Sequence, residues 1–151
     1  MAENTEKSFE KDRRLCLKTA LKLLGRREHF TLELKRKLLS KKHPESVVNI
    51  VADELTGTGY LDDTRALEHF ASEVKRKKRG LFYFRKKVSE KAGGEICEKE
   101  AFEFAYTSEE EKKLAAELFE ELSHDSEEKK KRFLYNRGFS AQIIREVAGD
   151  S

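Results

Sequence analysis

Eight cations, Lys75, Arg76, Lys77, Lys78, Arg79, Arg85, Lys86 and Lys87, fall in a stretch that contains no acid. Such a run neutralises phosphate oxygens or an acidic surface, and releases counterions when it does so. Lysines near a helix C-terminus also suit the helix dipole, so part of Lys75 to Arg79 is explained by folding alone. The cations continue past Gly80 into the next helical pattern, and that continuation is read as facing a polyanion. Phe82, Tyr83 and Phe84 are interleaved with them, and aromatics among cations can stack on unpaired bases. Phe84 shares a helical face with Leu81 and Val88 and is assigned to the core. Tyr83 points elsewhere and is the stacking candidate.

Two further clusters repeat the arrangement: Lys35, Arg36, Lys37, Lys41 and Lys42 upstream, and Lys129, Lys130, Lys131, Arg132 and Arg137 downstream. Lys91 occupies the corresponding place between them. Modules stacked in register would bring these cations to a common edge. Other chemistry finds little to work with. Asp62 and Asp63 are adjacent on a helix, do not face each other and lack a third oxygen ligand, so they suit a helix cap, with an Asp62–Arg65 ion pair, better than a metal. His29, His43, His69 and His124 are scattered without ligand or triad spacing, and no phosphate loop or nucleophile motif occurs. No enzyme, cofactor or metal site is expected. Cys16 and Cys97 are lone, which suggests buried thiols and neither a disulfide framework nor a zinc site.

These cations must be positioned by helices. The 151 residues are 40% charged and 37% apolar, with no Trp and a single Pro, which favours helix over strands and leaves little material for one large core. A short pattern recurs three times. Anchors at Leu38, Val88 and Leu134 are each followed three positions on by a cation, Lys41, Lys91 and Arg137, placed at the end of a middle helix. Further on come the apolar pairs Val47 with Val51, Cys97 with Ala101, and Ile143 with Val147. Repeats of this length indicate stacked modules and an extended binding surface rather than a pocket. The reading is all-α, three tandem three-helix repeats over 12–59, 60–107 and 108–151, preceded by a disordered tail, 1–11.

Within the first repeat, Leu17, Ala20, Leu21 and Leu24 define a helix stopped by Gly25, Thr31 caps a second, and Pro44 opens a third. In the next repeat Asp62 is an N-cap, Gly80 ends the first helix, and Ile96, Cys97, Ala101, Phe104 and Ala105 line a sixth helix after Gly93-Gly94. Ser108-Glu109-Glu110-Glu111 reads as a capping box, and Ser140 caps a ninth helix after Gly138. Net charge is only +3, yet it is segregated, with the residues from Glu95 to Glu128 rich in Glu. A polar N-terminus and the lack of any long apolar run suggest a cytoplasmic protein without a membrane span.

The segment Gly59-Tyr60-Leu61-Asp62-Asp63-Thr64-Arg65-Ala66-Leu67 resembles the signature of the RecX family, regulators of the RecA recombinase. Thr31 to Leu38, Arg79-Gly80 and Asn136-Arg137-Gly138-Phe139 agree in order and spacing, so the resemblance covers roughly residues 14–148. It implies tandem three-helix repeats in a curved, right-handed array with a cationic face. It also implies binding in the groove of the RecA filament on single-stranded DNA, with suppression of ATP hydrolysis, strand exchange and repressor cleavage. Lys42-His43-Pro44 and Glu90 to Gly94 depart from the family pattern, in which a Lys-Gly turn leads to an apolar residue. Tyr60 and Leu61 are read as an apolar joint between modules. The expected partners are the RecA filament and DNA backbone, engaged by an elongated monomer. The rival reading is a stand-alone helix-turn-helix DNA binder. The middle helices offer mainly Lys, which suits phosphate better than base edges.

Overall fold

The computed structural model describes residues 2–94 and 103–149, and among these every regular element is helical. Eight helices have complete ranges: α1 Ala2–Arg26, α2 Thr31–Ser40, α3 Glu45–Gly57, α4 Asp63–Arg76, α5 Leu81–Ala92, α6 Ser108–Glu121, α7 Glu127–Asn136 and α8 Ala141–Ala148. Residues 103–105 are helical as well. The chain forms two compact units, residues 1–66 and 67–151, the division falling within α4. No helix among the described residues is long and apolar enough to cross a membrane.

In the first unit α1, α2 and α3 enclose a core of Cys16, Ala20, Leu34, Leu38, Val51 and Leu55, each at most 3% exposed. The apolar positions recur at three- and four-residue spacing, so each helix closes one stripe against the other two. A fully buried Leu or Val contributes about 1.5–3 kcal/mol. Burial pushes the Cys16 thiol up from its ordinary value. In the second unit Ala115, Leu118, Leu134, Phe139, Ile143 and Ile144 form the core of α6, α7 and α8. Phe84 packs there against Phe70 and Tyr106, with ring centroids 5.8 Å apart in both pairs.

Several expectations are corrected. The tail expected over 1–11 is helical from Ala2, because α1 continues without a break through Gly25 to Arg26. Apolar spacing does not mark this stretch. Instead, Glu10 pairs with Arg13 at 2.7 Å and with Arg14 at 3.3 Å, and Arg13 also reaches Glu54 of α3 at 3.1 Å. Thr31 is the first residue of α2 rather than its cap. The capping box belongs to Thr107, whose side chain accepts from the Glu110 N–H, one residue ahead of the expected Ser108. Tyr60 is 59% exposed and so is no apolar contact, whereas Leu61, at 2%, packs into the core of the first unit. Phe104, expected on an apolar face, is 83% exposed. Ile96, Cys97 and Ala101 lie outside the described residues.

Other expectations agree. Ser140 caps α8, its side chain accepting from the Ile143 N–H. Asp62 accepts from the N–H groups of Thr64 and Arg65 at 3.0 and 3.2 Å, and stands 4.0 Å from the Arg65 guanidinium.

Candidate nucleic-acid interface

Lys41, Lys77, Lys78, Arg79 and Arg137 sit where helices end, whereas Lys35, Arg36, Arg85, Lys86 and Arg132 lie within helices. α2, α4 and α7 close in the same way, with an N–H bonded to a carbonyl five residues back: His43 to Leu38, Arg79 to Val74 and Phe139 to Leu134. This closure needs a left-handed residue one step earlier, a place that favours glycine. Gly138 fills it in α7 with φ 84°, whereas Lys42 and Lys78 fill it in α2 and α4 with φ 70° and 57°. The departure from a Lys-Gly turn at Lys42 therefore leaves the turn intact and adds backbone strain. Lys41 and Arg137 follow their helices directly, as expected, whereas Lys91 lies inside α5, which runs one residue further to Ala92.

The second unit's basic run divides by what each side chain touches. Lys75 donates to Glu110 at 2.6 Å and to the Ala105 carbonyl at 3.3 Å, with its ammonium over the Tyr106 ring. Lys78 reaches Glu121 at 3.4 Å, Arg76 lies 3.8 Å from Glu73, and Lys87 is 3.4 Å from Glu90. Arg79 and Lys87 both approach the Tyr83 ring, at 5.0 and 5.8 Å from its centroid. Tyr83, half-buried and already engaged by two cations, is thereby less suited to stack on a base. Lys91 covers the Phe70 ring. Three cations, Lys77, Arg85 and Lys86, are exposed and make no side-chain hydrogen bond or ion pair among the described residues. Arg85 and Lys86 stand three and four residues after Phe82, so the three share one outward face of α5. Phe82 is 67% exposed.

Arg137 has a structural task. Its guanidinium donates to the carbonyls of Lys77 and Lys78, closing the end of α4. Burial, and then the nearby Arg79 charge, lower its pKa from the usual arginine value. The Arg137 carbonyl accepts from Gly80 N–H at 3.0 Å, and the Gly138 carbonyl accepts from Phe82 N–H at 2.9 Å. A Cβ on Gly80 would stand 2.4 Å from the Gly138 oxygen and the Phe139 Cα, and one on Gly138 would stand 2.5 Å from Tyr83 Cβ. The pairs Arg79-Gly80 and Gly138-Phe139 are thus two halves of one backbone contact. Glu111, 1% exposed, completes it by accepting from Leu81 N–H at 2.7 Å, Ser140 N–H at 3.2 Å and Ser140 Oγ at 2.9 Å.

The first unit has a matching joint. Asp63 accepts from Thr31 N–H at 2.7 Å and from the Thr31 hydroxyl at 3.1 Å, serving the start of α2 as Glu111 serves the start of α5. Arg65 donates to the carbonyls of Gly59 and Tyr60 and pairs with Glu28 at 2.7 Å. The acid pair Asp62-Asp63 is therefore spent on two helix starts. Nearby, His29 is buried, with Nδ1 3.0 Å from the Arg27 carbonyl and Nε2 2.9 Å from Lys37 Nζ. An ammonium can only donate, so Nε2 accepts and the imidazole is neutral. Lys37 is thus a positioning group. Lys35 is half-buried, Arg36, Lys41 and Arg132 are exposed, and none of the four is buried away from a partner.

A family model described as RecX, first three-helix domain, matches residues 16–55, which span the last part of α1, all of α2 and most of α3. A regulatory protein RecX of Chlorobium phaeobacteroides (strain BS1) is 33% identical over 132 residues, 85% of this chain and 87% of its own length. The chain belongs to the RecX family. The regulatory protein RecX of Pelodictyon phaeoclathratiforme (strain DSM 5477 / BU-1) is 38% identical across 83% of this chain and 82% of its own. The crystal structure of RecX from Lactobacillus salivarius superposes with a TM-score of 0.75 at 22% identity, covering 93% of this chain and 96% of that one. The fold is therefore the RecX fold. Three of the stretches that carry the family resemblance, Gly59 to Leu67, Arg79-Gly80 and Asn136 to Phe139, lie at joints between helices, whereas Thr31 to Leu38 is most of α2.

Sequence reasoning missed the joint carboxylates Asp63 and Glu111, whose partners are 32 and 30 residues away along the chain. It also passed over Phe82 as the outward aromatic of α5. Its signal was present, because a face of Leu81, Phe84 and Val88 turns Phe82, Arg85 and Lys86 the other way.

Proposed function

We propose that this RecX-family protein is a negative regulator of the RecA recombinase. In this reading it lies along the groove of the RecA filament on single-stranded DNA as a monomer in the cytoplasm, and suppresses ATP hydrolysis, strand exchange and coprotease activity. It works by binding and carries out no catalysis of its own. Three repeats, over 12–59, 60–107 and 108–151, each offer cations to the filament.

The observation that carries this reading is that Lys77, Arg85 and Lys86 are exposed and make no ion pair among the described residues, beside acids that pair with their neighbours. Charges kept in solvent add little to folding, whereas a phosphate or acidic protein surface gains from each of them. Lys35, Arg36, Lys41 and Arg132, half-buried or exposed in the other repeats, would add cations toward the same partner. The test is ATP hydrolysis by RecA on single-stranded DNA. Substoichiometric amounts of this protein should lower the rate, and a Lys77→Glu/Arg85→Glu/Lys86→Glu variant should lose most of that effect with unchanged helicity. A rate that the intact protein leaves unaltered removes the reading.

A further inference from the structure

The second unit carries a cleft of about 910 Å³ where the starts of α5, α6 and α8 approach the end of α7. That volume is at the large end of the roughly 300–1,000 Å³ typical of ligand clefts. Two exposed rings border it, Phe82 at 67% and Tyr135 at 70% exposure, and neither makes a ring contact among the described residues. Arg85 and Lys86 line its α5 side with no acid partner among the described residues. Asn136, which also lines it, has no side-chain bond among the described residues.

The charge pattern tells the two ends apart. At the inner end the N–H groups of Leu81 and Ser140 are already taken by the buried Glu111 carboxylate. An anion has nothing to bind there and would meet a like charge. On the α6 side Glu109 has no cation partner among the described residues, while Glu146 is matched by Lys112 at 3.4 Å. Any phosphate must therefore lie along the α5 rim. What remains for the interior is a flat, neutral group that can stack on aromatics and bond an amide side chain. An apolar peptide side chain is a poorer occupant, because it would give Arg85, Lys86 and the Asn136 amide nothing to bind.

We propose that this cleft takes an unpaired base of single-stranded DNA against the Phe82 and Tyr135 rings, with the adjoining phosphates on Arg85 and Lys86. It rests on the nucleic-acid half of the proposed function and adds to it a base contact. Stacking of this kind tolerates any base, because every base has a π-face.

The test uses the full chain and a short oligo(dT) carrying one central 2-aminopurine. The protein has no Trp, so the probe is read without interference. Wild type should quench the probe. Phe82→Ala and Tyr135→Ala should each weaken binding roughly 5- to 100-fold and relieve the quenching, and Phe82→Tyr should restore both. Arg85→Gln and Lys86→Gln should instead keep the quenching at saturation and each reduce the log-log salt slope by roughly 0.7. Both rings are exposed, so equal melting of the alanine variants is expected and is checked by circular dichroism. Unchanged affinity of Phe82→Ala and Tyr135→Ala for the oligonucleotide would overturn the proposal. If those variants kept oligonucleotide binding but lost inhibition of RecA, the occupant would be protein, which also overturns it while leaving the regulator reading in place. If they lost oligonucleotide binding while wild type had no effect on RecA, the cleft assignment would stand and the regulator reading would fall.

Discussion

His29 shows how one residue can set a pH limit on the first unit. Burial lowers its pKa from the ordinary 6.5, with the Arg27 and Lys37 charges adding to the effect and the Arg27 carbonyl and Glu33 opposing it. The folded state therefore takes up a proton less readily than the unfolded chain. Stability from this site is fully present above the unfolded value and drains away as pH falls below it. Protonation would also place an imidazolium against the Lys37 ammonium, now 2.9 Å from Nε2. We predict that between about pH 7.5 and about pH 5 the wild-type urea midpoint falls further than that of His29→Gln. Parallel profiles for the two proteins would show that the imidazole is not held neutral. Lys37 is expected on the binding face, and its place beside His29 shows that a cation located by sequence can also carry a structural task. Charge is legible in a sequence, but a partner eight residues away across a helix start is not.

At the scale of elements, the two glycines of the α4–α5 and α7–α8 turns matter more than their small size suggests. Each brings one backbone against another, and no flexible side chain is available to yield. Gly80→Ala should therefore cost about 2–4 kcal/mol, read as a lower melting temperature and a reduced unfolding midpoint. Gly25→Ala is the control. It lies inside α1 with nothing within 4 Å of the added methyl, so it should stabilise by up to about 1 kcal/mol. Equal effects at both positions would mean the α7–α8 turn does not pack on Gly80 as tightly as the distances indicate. The helices themselves were legible because their apolar residues recur at helical spacing, as with Leu34 and Leu38 or Ile143 and Val147. The first ten residues of α1 were not, because ion pairs hold them and Phe9 is 37% exposed. The cap at Thr107 was missed by one position because Thr107 and Ser108 both offer a hydroxyl, and only geometry chooses between them. Asp63 and Glu111 were beyond reach for a different reason: each bonds a helix start that sequence distance does not connect to it.

At the scale of the molecule, the question is whether both units engage the same partner. Cations of the first unit, Lys35, Arg36 and Lys41, and those of the second, Lys77, Arg85 and Lys86, belong to separate compact bodies. A short single strand long enough for one unit should be held through the second unit's cleft. Charge reversal at Lys77, Arg85 and Lys86 should then abolish its binding, while reversal at Lys35, Arg36 and Lys41 should change it little. A RecA-coated strand offers many repeated sites, and binding by one unit raises the effective concentration of the other at its own site. Reversal in either unit should therefore weaken filament binding by at least tenfold, and the intact chain should prefer the coated strand at every salt concentration. Bare-strand affinity should meanwhile fall with salt with a slope of roughly -0.7 per phosphate contacted. A stand-alone helix-turn-helix binder behaves otherwise: one unit would carry all the affinity, and coated and bare DNA would be bound alike. Equal losses from each reversal on both substrates would favour that rival, because then nothing about the filament would be recognised beyond the DNA inside it.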